Sequence, residues 1–120
     1  MTIRAIRGAT TLEVDERRHL HERTIELVRA MLNENGLTAE DLVSVVFTAT
    51  PDISSDFPAA AARALDLGDV PLLCAVEMGV EGALGRVIRV MAHANLDVPR
   101  NEVKHVYLHD AVSLRRDLAQ

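Results

Sequence analysis

Between Cys74 and Met91 the chain gathers most of its unusual polar chemistry beside an apolar run: a thiol (Cys74), a carboxylate three residues on (Glu77), three glycines (Gly79, Gly82, Gly85) and two guanidinium groups (Arg86, Arg89). Cys74 is the only cysteine. The pattern predicts a strand that turns through glycines into a helix, and backbone donors freed at such a junction are a common setting for ligands.

Each of these residues also has a plainer reading. A cysteine on an apolar strand is usually a small buried hydrophobe, and a nucleophilic thiol needs a paired base, for which no Cys-His order is legible. Glu77 at a strand end suits a solvated charge. On a helical wheel Gly82, Arg86, Arg89 and His93 lie opposite Leu84, as a solvated polar face would. Glycine in a helix costs about 1 kcal/mol against alanine, however, so glycines on that face point to a close approach by another group.

The glycines do not form a dinucleotide-binding turn. That fingerprint needs its first two glycines two residues apart, whereas here they recur every three, and Glu77 and Glu81 would repel a pyrophosphate. His105 and His109 flank Tyr107 on one face of a predicted strand, a spacing that can bring two imidazoles to one metal, but no third ligand accompanies them. His19 and His21 diverge on a helix and cannot share an ion. No metal and no cofactor are expected.

The elements that must position these groups follow from periodicity. Thr2–Gly8 reads as a first strand ended by glycine, with Ala9–Val14 as a connection. Asp15 offers a cap to a helix whose buried stripe is Leu20, Thr24, Leu27, Val28 and Met31, ended by Asn35-Gly36. Thr38 with Asp41 resembles a capping box before a short helical turn. Val43–Thr50 is β-branched and aromatic without alternation, which predicts a strand buried on both faces and stopped by Pro51-Asp52.

Phe57-Pro58 leads into an alanine-rich helix over Ala59–Leu67 with Gly68 past its end. Val70–Val76 reads as the third strand. Leu84, Val87, Ile88 and Met91 fit the stripe of a second long helix, closed by Asp97-Val98-Pro99. Glu102–His109 alternates as a strand, with Val103, His105, Tyr107 and His109 on one face and Lys104, Val106 and Leu108 on the other. Ala111–Gln120 is a charged end. Strands alternating with helices predict an α/β layer structure with a mixed sheet and helices on one or both faces.

Composition narrows the function classes. At 120 residues a single domain is expected. Apolar residues make up 48% but aromatics only 2%, so the core is built from aliphatic side chains. A net charge of −5 opposes binding to phosphate backbones, and few aromatics are available to stack on bases, which sets nucleic acid aside. Arg4 and Arg7 interrupt the N-terminal stretch, so no secretory signal core is expected there. No apolar run approaches the roughly 20 residues that cross a bilayer. One cysteine excludes an internal disulfide, and the cytoplasm is the expected compartment.

Taken together in order, these residues resemble the monofunctional chorismate mutases of the trimeric pseudo-α/β-barrel (AroH) class. The resemblance is carried by Arg7-Gly8-Ala9-Thr10-Thr11, Thr48-Ala49-Thr50-Pro51-Asp52, Phe57-Pro58-Ala59 with Arg63, and Cys74 with Glu77-Met78. It continues through Ile88-Arg89-Val90-Met91, His105-Val106-Tyr107-Leu108, Leu114-Arg115 and Asp117-Leu118.

The resemblance implies a single-domain fold of mixed β-sheet and packed helices, assembled as a homotrimer with active sites at subunit interfaces. It also implies conversion of chorismate to prephenate, by a Claisen rearrangement that needs neither metal nor cofactor. Arg89 matches the residue that meets the ether oxygen, and Arg7, with Tyr107, matches the group holding a carboxylate. Glu77 and Cys74 match groups near the ring hydroxyl. Phe57 and Leu114 would wall the pocket, Ala59, Leu73 and Met78 would line it, and Arg63 and Arg115 would guide a dianion to its mouth. Arg116 is a neighbouring candidate for that last role, the C-terminal tail would serve as a lid, and Ala60 stands where some relatives would carry a basic residue. A carboxylate-binding regulatory protein and a ligand-free scaffold are the readings from other classes.

Overall fold

The computed structural model describes residues 2–115, so the predicted roles of Arg116, Asp117-Leu118 and the C-terminal lid lie outside the described residues. The chain passes through β1 (Ile3–Thr11), α1 (Arg17–Glu34), β2 (Leu42–Ala49), β3 (Leu72–Val76), β4 (Val87–Asn95) and β5 (Val106–Tyr107). The strands form one mixed sheet in the order β3-β2-β4-β1-β5. Central β4 runs antiparallel to β1 and β2, while β3 and β5 extend the two edges in parallel.

Helical structure covers one face. The predicted stripe of α1 is buried; its Leu27, Val28 and Met31 join Ile6, Val45, Phe47, Val90 and Ala92 in an aliphatic core around one phenylalanine, while Leu20 packs with Leu12 and Ile88. A short 3₁₀ helix, Pro58–Leu65, extends the same layer beside β2 and β3. The shortest principal extent of the molecule, 20 Å, matches one sheet and one helical layer. The opposite face is more open, although Ala9, Thr11 and Val87 are buried on it and the Thr11 hydroxyl accepts the Asp110 amide from the final 3₁₀ segment, His109–Arg115.

The predicted second long helix is a strand. Ile88, Val90, Ala92 and Ala94 are all buried toward α1, and the residues between them point to the open face, which is period 2 and not 3.6. Leu84, Val87, Ile88 and Met91 satisfied a helical stripe by coincidence, and Leu84 is in fact exposed. Pairing with β1 and β2 on both sides decides the matter, because it gives the backbone of β4 hydrogen-bonding partners distant in sequence.

Other boundaries moved for local reasons. Val43–Thr50 is not buried on both faces: Val45 and Phe47 enter the core, whereas Val46 and Thr48 face the open side. Only Val106–Tyr107 of the predicted last strand pairs, between 3₁₀ segments at Arg100–Glu102 and His109–Arg115. Asp15 does not cap α1; its carboxylate accepts the Ser54 and Ser55 amides, and Glu16 takes the cap position without a side-chain bond. The capping box of Thr38 and Asp41 is present.

Gly8 does not end β1, which runs on to Thr11. A Cβ at Gly8 would lie 2.3 Å from Met31 Sδ and 3.1 Å from Leu27 Cδ1, so glycine lets the buried face of α1 seat directly on the strand. Gly8→Ala is expected to destabilise the fold by about 1–3 kcal/mol through overpacking. In urea titrations, combining it with Met31→Ala should cost less than the sum of the two single changes, because the side chain that clashes is gone.

Candidate active site

The sheet register assembles a transverse row of side chains on the open face. Ala75 pairs with Thr48, Thr48 with Arg89, Arg89 with Ala9 and Ala9 with Tyr107, one residue from each strand in spatial order. Laterally paired residues share a face, so Thr48, Arg89 and Tyr107 project the same way, and Arg7 joins them two residues back along β1. Ala9 leaves only a methyl group between Arg89 and Tyr107.

Glu77 follows the end of β3, where its amide donates to the Ala49 carbonyl at 2.9 Å and continues the pairing with β2. Its carboxylate accepts the Thr48 hydroxyl on one oxygen and takes Arg89 Nε on both, at 3.1 Å each. The Arg89 side chain keeps 47% of its exposure. Its Nε is therefore held while both Nη groups make no hydrogen bond among the described residues and present their donors outward. Thr48 is the contact that sequence reasoning missed; its position on the polar face of β2, opposite the core-facing Phe47, was the available signal.

At the other end of the row the Arg115 guanidinium lies 4.9 Å over the Tyr107 ring, a cation–π contact that brings Leu114 and Arg115 back toward the sheet. Arg7 is exposed, and its amide donates to His105 Nδ1 at 2.9 Å.

Phe57, Ala59, Arg63 and Cys74 form a separate group. Cys74 pairs with Phe47 and so faces the helical layer, where its sulfur accepts the Ala59 amide at 3.4 Å. Cys74 and Glu77 thus lie on opposite sides of β3. Exposed Phe57 stands at the lip of a 410 Å³ groove walled by Ala49, Thr50, Ile53, Cys74 and Val76. Hydrogen bonds from His21, the Phe57 amide and Arg17 hold that lip on Asp56 and keep its carboxyl below the usual range. Leu73 is exposed on the open side of the edge strand, Met78 is exposed just past it, and Arg63 is exposed on the 3₁₀ helix.

The glycines of the 77–86 connection have a structural use. Gly82 adopts φ 83° and Arg86 φ 50°. Asp52 accepts the Arg86 amide at 2.9 Å and the Thr50 hydroxyl at 2.6 Å, and a Cβ at Gly85 would sit 2.7 Å from its Oδ2. Asp52 is thus the close neighbour of Gly85 alone, since Gly82 has nothing within 4 Å of a Cβ, and the predicted helical face shared by Gly82, Arg86, Arg89 and His93 does not exist. His105 and His109 also separate, His109 being bound to Glu26 at 2.8 Å. Among the described residues no three His, Cys, Asp or Glu side chains cluster as metal ligands would.

Residues 3–118 match the sequence family described as chorismate mutase type I. The chain belongs to that family. It is 50% identical to the chorismate mutase AroH of Thermus thermophilus over 117 residues, covering 97% of this chain and 96% of that protein. It is 43% identical to the chorismate mutase AroH of Bacillus subtilis (strain 168) over 120 residues, 99% of this chain and 94% of the relative. Among solved structures, a chorismate mutase from Clostridium thermocellum superposes with a TM-score of 0.89 at 40% identity, covering 91% of this chain and 97% of that one. The mixed sheet backed by one helical layer is therefore the fold of a chorismate mutase relative, and the open-face row of Thr48, Arg89 and Tyr107 belongs to a chain of this family.

Proposed function

We propose that this protein is a chorismate mutase, an isomerase that converts chorismate to prephenate in aromatic amino-acid biosynthesis, acting as a homotrimer with its active sites between subunits. Family membership over nearly the whole chain supports the reaction. The single observation that carries the mechanism is Arg89, clamped through Nε by Glu77 while its Nη groups make no hydrogen bond among the described residues.

The rearrangement is a concerted [3,3] shift in which the ether C–O bond breaks as a C–C bond forms, so neither nucleophile nor proton transfer is required. Catalysis is then differential binding. Negative charge that develops on the ether oxygen meets a donor already fixed in place, which costs no reorganisation as the bond breaks. Arginine suits this task because it stays charged and its planar fork can satisfy Glu77 and the oxygen together.

In this reading Arg7 and Tyr107 hold the carboxylate of the enolpyruvyl arm, and Glu77 accepts a hydrogen bond from the ring hydroxyl. Cys74, whose sulfur accepts the Ala59 amide, retains its S–H for the same hydroxyl. Phe57 and Leu114 wall the pocket, Ala59, Leu73 and Met78 line it, and Arg63 and Arg115 attract the dianion. In one chain the Phe57 group and the Arg89 group lie on opposite sides of β3, which supports a site completed by a neighbouring subunit. The exposed apolar side chains Ile3, Leu73, Val76, Met78 and Val80, on the open face, the β3 edge and the adjoining turn, support burial in a trimer. No described helix is long and apolar enough to cross a membrane, and the cytoplasm is the proposed compartment on the ground of a single free thiol.

The purified protein is expected to sediment as a trimer and to consume chorismate, followed by absorbance, without added metal or cofactor and undiminished by a chelator. kcat should vary little between roughly pH 6 and 9, since arginine stays charged and no general acid or base is needed. Binding of chorismate or prephenate without turnover would assign the chain to a regulatory class instead.

A further inference from the structure

His105 touches the Arg7 strand but has no part in the proposed reaction. β5 is two residues long and pairs with β1 only through Gly8–Val106 and Ala9–Tyr107, extended on its far side by the Leu108 amide on the Ala9 carbonyl. On its near side a side chain takes over: the Arg7 amide donates to His105 Nδ1 at 2.9 Å. That nitrogen can accept only while it carries no proton, which requires the neutral ring with its hydrogen on Nε2. A protonated ring would oppose its own N–H to the Arg7 N–H.

We infer that His105 is a positioning residue, whose neutral ring sets the register of Arg7 against Tyr107 and so aligns the two groups that hold the substrate carboxylate. The inference rests on the reading given above for Arg7 and Tyr107, whereas the hydrogen bond itself does not. The surroundings favour the neutral ring. The groove that holds His105 receives Arg4 and Arg7 from β1, His93 from β4 and Arg100 from the 3₁₀ segment, with no carboxylate in its lining. Arg115 adds its charge from the final segment, Lys104 precedes His105 in the chain, and Tyr107 follows two residues later.

Burial first, then the charges of Arg7 and Arg115, hold the His105 pKa below 6.5. A histidine with a depressed folded value resists the proton that the unfolded chain takes up. Its stabilising contribution is therefore complete above pH 6.5 and is lost as pH falls through the lower folded value. The same proton removes the acceptor of the Arg7 amide.

The test combines imidazole nitrogen NMR, amide exchange and kinetics. At pH 7.5 the ring should be the Nε2–H tautomer; an Nδ1–H tautomer or a cationic ring at that pH overturns the inference. Exchange of the Arg7 amide should quicken in His105→Ala, remain slow in His105→Asn, whose Oδ1 stands near the position of Nδ1, and quicken in His105→Gln, whose acceptor reaches too far. In chorismate turnover His105→Ala should raise KM about tenfold, the scale of one lost hydrogen bond, with kcat nearly unchanged. A fall of kcat/KM below pH 6.5 in the parent should be absent from His105→Asn. An unchanged KM in His105→Ala, or an acid limb that persists in His105→Asn, overturns the positioning role. Should chorismate not be consumed at all, the functional reading fails, while amide exchange still decides whether His105 holds Arg7.

Discussion

Arg89→Ala is expected to lower kcat by at least about a hundredfold, corresponding to ~3 kcal/mol of transition-state stabilisation, with a much smaller change in ground-state binding. The size follows from how the residue is held. Glu77 grips Nε on both carboxylate oxygens at 3.1 Å, and Thr48 fixes Glu77 in turn, so the charge is oriented before substrate arrives. A mobile surface arginine would lose much of its effect to reorientation. Lysine should rescue poorly, since a single ammonium cannot satisfy Glu77 and also present a planar pair of donors to the ether oxygen. Steady-state kinetics on chorismate, with KM and kcat resolved separately, is the measurement. A kcat close to that of the parent would remove Arg89 from its assigned place at the breaking bond.

Phe47→Ala should produce the largest loss of stability, about 3–5 kcal/mol, the usual cost of emptying a large aromatic site in a core. For a chain of this size that corresponds to a drop in Tm of about 10–20 °C. Phe47 is 0% exposed and is the largest fully buried side chain. It is flanked by Cys74 on β3 and Val90 on β4, and with so few aromatics nothing of similar volume can relax into the space. Urea denaturation should show a lower midpoint with an unchanged slope. Because Phe47 points toward α1 while Arg89 and Thr48 point to the open face, kcat measured well below the new Tm should stay near that of the parent. Loss of both together would mean that the two faces of the sheet are mechanically coupled.

How far the chain could be read depended on the range of the interactions behind each feature. The α1 stripe and the Thr38–Asp41 box were legible because both are closed within a few residues, as the observed burial and capping bonds show. Asp15 was misread because helix capping is the commonest local use of such a residue, whereas its partners, Ser54 and Ser55, are almost forty positions away. Of the glycines at 79, 82 and 85 only Gly85 is a site of close approach, and the approaching group is Asp52, from a loop that sequence spacing cannot bring near; Gly82 has open space around it and serves a positive φ instead. His105 stood out for its spacing to His109 and as part of the run His105-Val106-Tyr107-Leu108, but its acceptor role depends on a neighbour ninety-eight residues away in the chain.

By itself the sequence determined the chemical inventory and the kind of protein: an aliphatic core, a mixed sheet, and an ordered set of residues, Arg7, Glu77, Arg89 and Tyr107 among them, that resembles one enzyme family. Tertiary structure alone decided that Val87–Asn95 is a strand, that Arg89, Thr48 and Tyr107 form one row, and that Cys74 and Glu77 look to opposite sides of β3. The physical reason is shared by all three. Over a few residues a 3.6-residue stripe and a two-residue alternation can select the same apolar positions. Only the hydrogen-bonded partners on either side, β1 and β2 for β4, choose between them and thereby set which side chains share a face.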